Sequence, residues 1–224
     1  MANQRMGVVV IGQSPRPSVA AEIAAVLSPG MTIELRGALD GMTRAEIDTI
    51  PPEAGYDALF TLLPSGEGVK VSKKAVETRA ARQIARFADE GVGVTMLACT
   101  GKFPNLAPDG LVILPSAVLH KLVEAVLPKG RLGVFSPLPE QTALTHEKWK
   151  RDGVEVVGVT LRPGSDEATV DEAAARMAAL APDLVVMDCM SYTTANKARV
   201  RAVTNGPVIL AIAAAARVAE ELVS

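Results

Sequence analysis

The 224 residues are 49% hydrophobic but only 3% aromatic, and the formal net charge is −2. Without a basic excess, a nucleic-acid or membrane-surface partner is not expected, and no run of about 18 apolar residues is present to span a bilayer. Two cysteines (Cys99, Cys189) and two histidines (His120, His146) are too few and too scattered for a zinc site of ordinary spacing, so no metal is expected.

The chain opens with MANQRMGVVVIG, a short apolar run that ends in Gly-Gln-Ser-Pro with no cleavage site. It reads as a first strand rather than a signal peptide, and a cytoplasmic location is the default expectation. Short Val/Ile/Leu runs bounded by Gly, Pro or Asp then predict strands over 6–11, 31–36, 57–63, 92–98, 111–114, 131–136, 154–159, 183–188 and 207–211. Between them, Ala/Glu/Arg segments of helical period predict helices over 16–27, 43–49, 72–90, 116–127, 139–151, 167–180, 193–204 and 212–222. Leu59–Val71, with Gly66 and Gly68 around Glu67, reads as a hairpin. Continuous apolar strands such as Val8–Ile11 and Leu184–Met187 suit sheets covered on both faces, and the alternation predicts an α/β, doubly wound parallel architecture.

The two halves echo each other. Val112-Ile113-Leu114 and Val208-Ile209-Leu210 each open a helix, Gly7–Ile11 and Gly133–Ser136 each run into a Ser/Pro-bearing turn, and each half has a strand ending near a cysteine. Two pseudo-repeated lobes are expected, the first over 1–110 plus 207–224 and the second over 111–206.

Ligands of open α/β sheets sit beyond the carboxyl ends of the strands. Three segments there carry candidate chemistry. In Gly12-Gln13-Ser14-Pro15-Arg16, Ser14 is expected to cap a helix with Pro15 at its first position, Arg16 offers a fork for a carboxylate, and Gln13 flanks both. The G-x-x-P-x-P pattern lacks the glycines of a dinucleotide fingerprint, and no phosphate-binding P-loop occurs. The other two segments are Cys99-Thr100-Gly101 and Cys189-Met190-Ser191-Tyr192-Thr193, each a cysteine followed by hydroxyl-bearing residues. A cysteine near a helix N-terminus favours thiolate. Each thiol is either core packing or chemistry. If the halves are related by a pseudo-twofold, the two face one another across a cleft, and one thiolate would take a carbon-bound proton while the other thiol delivers one to the opposite face. Asp188 beside Cys189 would oppose a thiolate if the side chains met, but neighbouring strand residues point to opposite faces, so it is expected to cap or pack elsewhere.

At these residues the chain resembles the AroM family of the aspartate/glutamate racemase superfamily. The resemblance spans nearly the whole length, through PEAGYDALFTLL, the Val71-Ser72-Lys73-Lys74 helix start, ACTGKF and VVMDCMSY. It implies two α/β lobes around a cleft, a cysteine from each, and racemase, decarboxylase or isomerase chemistry without metal or pyridoxal phosphate. By that resemblance Cys99 and Cys189 are the paired acid and base, and Gln13, Ser14, Arg16, Thr100, Gly101, Ser191, Tyr192 and Thr193 contact the substrate. Thr100 stands where glutamate racemases carry Asn, and Ser191 where they carry His. The expected activity is a cofactor-independent racemase or epimerase of a small carboxylate, an amino acid or derivative. The alternatives are a single-cysteine decarboxylase or cis–trans isomerase, and a metabolite-binding protein without turnover. The partner is the small-molecule carboxylate, with a homodimer compatible with chain size. His120 is expected to be partly buried, His146–Lys150 to be a solvated helix face with Trp149 turned inward, and Glu67 and Lys70 to be hairpin surface residues within possible reach of the cleft.

Overall fold

A computed structural model describes residues 5–53, 57–106 and 110–223. The first four residues, and residues 54–56 of the PEAGYDALFTLL segment, lie outside them. The chain forms two compact units, Met1–Ser116 with Ala215–Ser224, and Ala117–Ala214.

In the first unit, β1 (Arg5–Val10), β2 (Thr32–Gly37), β5 (Val94–Ala98) and β6 (Leu111–Ile113) form a parallel sheet in the order β2-β1-β5-β6. Helices α1 (Pro17–Ala24), α2 (Arg44–Asp48) and α3 (Lys73–Asp89) connect these strands. The expected hairpin is β3 (Ala58–Leu62) paired antiparallel with β4 (Gly68–Ser72). The run of α3 places Val76, Ala80, Ile84 and Phe87 on one buried face, the spacing of an amphipathic helix. That face joins Val9, Ile11, Leu59, Val71 and Leu97 in one core.

In the second unit, β7 (Gly130–Ser136), β8 (Val154–Thr160), β9 (Leu184–Met187) and β10 (Val208–Leu210) form a parallel sheet in the order β10-β9-β7-β8. Its helices are α5 (Pro139–Trp149), α6 (Glu167–Ala179) and α7 (Thr194–Thr204). Val170, Ala173, Ala174 and Met177 form the buried stripe of α6. Two helices cross the division: α4 (Pro115–Val126) begins in the first unit and continues in the second, and α8 (Ala211–Val223) does the reverse. Among the described residues no helix is long and apolar enough to cross a membrane.

Read from the edge strand inward, the two sheets have one topology: β2, β1, β5, β6 match β8, β7, β9, β10. The equivalence extends to single residues. Gly7 pairs with Thr95 and Gly133 with Val185, each at the second position of its central-strand pairing. A Cβ on Gly7 would lie 2.8 Å from the Phe87 ring of α3, and one on Gly133 2.5 Å from Met177 Sδ of α6. In both units a strand glycine therefore makes room for a large side chain from the corresponding helix.

By strand pairing, residues 111–113 lie in the sheet of the first unit, where β6 pairs with β5, and 208–210 in that of the second, where β10 pairs with β9.

Candidate functional site

The turn after β1 is built around a carboxylate that the sequence did not flag. Asp40, three residues beyond the end of β2, accepts the backbone N–H of Ser14 (2.7 Å), the Ser14 hydroxyl (2.8 Å) and the Gly37 N–H (2.7 Å). Gly37 is needed there, because a Cβ would stand 2.5 Å from Gly12 O and 2.7 Å from Gln13 Cα. Gln13 donates through Nε2 to Leu39 O and Met42 O. The expected helix start is corrected: α1 begins at Pro17 with Arg16 at its N-cap, and Ser14 does not cap it. The physical reason is that the Ser14 N–H and hydroxyl are committed to Asp40, while Pro17 supplies the first helical φ. Arg16 is buried and donates to Leu62 O (3.0 Å) and Thr61 Oγ1 (3.4 Å), which ties this turn to β3 of the hairpin. At the hairpin turn, Glu67 pairs with Arg44, and Lys70 is exposed on β4.

Cys99 is the residue after β5. Its Sγ accepts the Gly101 N–H at 3.3 Å. A Cβ on Gly101 would meet Leu59 Cδ2 at 3.3 Å and Cys99 Sγ at 3.4 Å, so the glycine lets this N–H approach closely. Thr100 is buried. The loop beyond is held from α3: the buried Glu77 carboxylate accepts the Asn105 N–H (2.9 Å) and Nδ2 (3.1 Å), and Phe103 enters the core.

Cys189 follows β9 with one residue, Asp188, between. The Asp188 N–H continues the sheet by bonding Phe135 O, which makes Asp188 the counterpart of Ala98 and Cys189 the counterpart of Cys99. Cys189 Sγ accepts the N–H of Ser191 at 3.5 Å, the same two-residue step as in the first unit. Neither cysteine is in a disulfide, and both are partly exposed. An expected feature is corrected here. Among the described residues Cys99 is followed by a loop and then β6, with no helix N-terminus at its sulfur; the donor common to both cysteines is the N–H two residues on.

The segment after Cys189 is held by identifiable hydrogen bonds. Thr193 caps α7 by accepting the Asn196 N–H, and Asn196 returns the bond to the Thr193 N–H. Tyr192, expected to contact the substrate, is a core residue: only 1% of it is exposed, and its hydroxyl donates to Leu161 O at 2.5 Å. Burial first, then the charges of Cys189 and Asp188, push the Tyr192 phenol well above its ordinary range.

Behind Cys189 lies a cluster from α5 and α4. Asp188 Oδ2 accepts the Trp149 indole N–H (3.0 Å) and the Lys148 ammonium (2.5 Å). His120 stacks on Trp149, with centroids 4.2 Å apart and planes 2° from parallel, and its Nε2 meets Lys148 O at 2.9 Å. Asp188 thus packs away as expected, His120 is partly buried and Trp149 points inward. Lys148 departs from the expected solvated face, because the buried carboxylate opposite draws its ammonium in.

No curated protein matches the chain in sequence. Solved structures share its fold. Allantoin racemase from Klebsiella pneumoniae is 19% identical with a TM-score of 0.66, over 98% of this chain and 87% of that one. Maleate isomerase Iso from Pseudomonas putida S16 is 17% identical with a TM-score of 0.61, over 95% and 89%. Glutamate racemase from Francisella tularensis is 15% identical with a TM-score of 0.60, over 99% and 81%. The family model described as AroM protein matches residues 6–223, and with that span covered the chain belongs to the AroM family.

Proposed function

We propose that the chain is a cofactor-independent racemase or epimerase of a small carboxylate, an amino acid or derivative, with Cys99 and Cys189 as its acid and base. The observation that carries this reading is the equivalence of the two cysteines. They occupy corresponding positions beyond corresponding strands, and each sulfur takes the N–H of the residue two further on. An N–H donor favours the charged form of its acceptor, so both sulfurs sit where a thiolate is supported. The racemase and isomerase names among proteins of the same fold support the same class of chemistry.

In this reading one thiolate removes the proton on the carbon next to the carboxylate, and the electron pair moves onto the carboxylate oxygens. The opposite thiol then delivers its proton to the other face of that carbon. One turnover exchanges the protonation states of the two sulfurs, and the reverse reaction restores them. The Thr100 and Ser191 hydroxyls supply donors for the developing negative charge. Arg16, Gln13 and Ser14 order the turn beyond β1, and in this reading that turn receives the substrate's carboxylate.

The test is loss of Cα–H signal by proton NMR in heavy water, across amino acids and hydantoins. Racemisation of the true substrate should fall roughly 10²–10⁴-fold in both Cys99→Ala and Cys189→Ala. Full exchange in Cys99→Ala overturns the paired-thiol mechanism. A requirement for one cysteine alone points to decarboxylation or cis–trans isomerisation, a reading favoured by an asymmetry between the positions: a carboxylate precedes Cys189 whereas Ala98 precedes Cys99.

A further inference from the structure

We infer that Lys148 is a positioning residue for Cys189: it balances the Asp188 carboxylate so that the neighbouring sulfur can carry negative charge, while Trp149 fixes where that carboxylate points. This rests on the proposed use of Cys189 as an acid–base group and names the regulation of that thiol.

Asp188 is buried and adjacent in sequence to Cys189; although its side chain packs away from the sulfur, an unbalanced carboxylate one residue away still opposes a thiolate through the low-dielectric interior. Cys99 meets no such opposition from its own preceding residue, because Ala98 stands there. Two sulfurs meant to exchange roles need comparable proton affinities, so the second unit needs a compensating charge. Lys148 supplies it at 2.5 Å, from the last turn of α5. The Trp149 N–H at 3.0 Å binds the same oxygen, and the His120 ring clamps the indole from α4 while its Nε2 meets the Lys148 carbonyl. Orientation and charge are therefore set by consecutive residues of one helix. The titratable groups around Asp188 are Lys148 from α5, His120 from α4 behind Trp149, and Cys189 and Tyr192 from its own segment. Burial and then the charges of Cys189 and Asp188 raise the Tyr192 phenol.

The experiment is the pH dependence of alkylation by iodoacetamide, followed separately at Cys189 and Cys99 by peptide mass spectrometry on the full chain. Loss of the ammonium in Lys148→Met should move the Cys189 midpoint up by about one pH unit and slow its alkylation about tenfold at neutral pH. Asp188→Asn should move it down by a similar amount, and the double variant should return close to the parent. Lys148→Arg, which keeps the charge, should restore the parent profile. Cys99, in the other unit, should keep its rate throughout and reports intact folding. The inference is overturned if Lys148→Met and Asp188→Asn shift Cys189 in the same direction, which is the signature of a structural pin, or if Lys148→Met leaves the profile unchanged. Absence of racemisation by the parent with every substrate tried, alongside opposite shifts in the two variants, would fault the proposed activity and leave the charge balance standing.

Discussion

The two units solve one packing problem with different side chains. Each has a strand glycine that receives a bulky group from the corresponding helix, but the first unit uses the rigid Phe87 ring and the second the flexible Met177. Each also has a buried carboxylate near its cysteine, but in a different place. Glu77 reaches in from α3 to hold Asn105 beyond Cys99, whereas Asp188 stands immediately before Cys189 and is held from α5. Beyond the first strand the contrast repeats. The first unit secures its turn with the Asp40 charge, the second with neutral hydroxyls: Ser136 Oγ lies 2.7 Å from Thr142 Oγ1, which lies 2.8 Å from Thr160 Oγ1. The common backbone is fixed by strand order and helix faces; the polar supports are free to differ as long as each buried group finds partners.

The strongest way to break this comparison is to empty the two helix knobs. Phe87→Ala should cost about 3–5 kcal/mol in urea unfolding. Met177→Ala should cost less, toward the lower part of a range of about 2–5 kcal/mol. Phe87 also carries the Arg36 guanidinium 4.0 Å above its ring, a contact Met177 lacks. Equal losses would mean that the two knobs are interchangeable.

Filling the glycines comes next. Gly7→Ala should destabilise by about 1–3 kcal/mol, and Gly133→Ala by less, since Met177 can turn its sulfur aside and the Phe87 ring cannot. Phe87→Leu in the Gly7→Ala background should recover part of the loss, measured as a double-mutant cycle.

The carboxylate supports give a subtler contrast. Glu77→Gln removes the charge that holds Asn105 and should cost about 1.5–3 kcal/mol. Its more telling readout is faster alkylation of Cys99 with Cys189 unchanged, the mirror of the Lys148 experiment.

The smallest effect concerns acid. Hydrogen bonds from Arg5 and then Arg36 hold Glu34 below the ordinary carboxylate range near 4.5. A lowered folded-state value means stability that is present above about pH 4.5 and lost as the pH falls through the lower value. Arg5→Gln should therefore weaken the first unit at neutral pH slightly and shrink its further loss below pH 4.5, seen as a shallower acid limb of stability against pH.

Much of this architecture is legible in the amino-acid order, for a local reason. Val8–Ile11, Leu184–Met187 and the Val-Ile-Leu triplets are apolar runs bounded on at least one side by glycine, proline or a polar residue, and Val76, Ala80, Ile84 and Phe87 keep the helical period. The cysteines stand out because both follow such runs. What stayed hidden are pairs made by folding: Ser14 with Asp40 across 26 residues, Glu77 with Asn105 across 28, Lys148 with Asp188 across 40. No periodicity links their members. The G-A-L-D sequence after β2 is a faint sign of a carboxylate turning back on its strand end, and it is recognisable once the Ser14 turn is known to need an acceptor. The Tyr192 hydroxyl is hidden for the same cause, since nothing beside it in the chain announces Leu161 O as its partner.

Helices α4 and α8 have a practical consequence for dissecting the molecule. Because α4 starts with one unit and finishes with the other, and α8 returns the favour, an excision at residues 117 and 214 leaves both severed mid-helix. Fragment complementation or permuted termini should accordingly be cut in loops such as those flanking α5, and a gene fragment encoding either unit alone would begin or end inside a hydrogen-bonded turn.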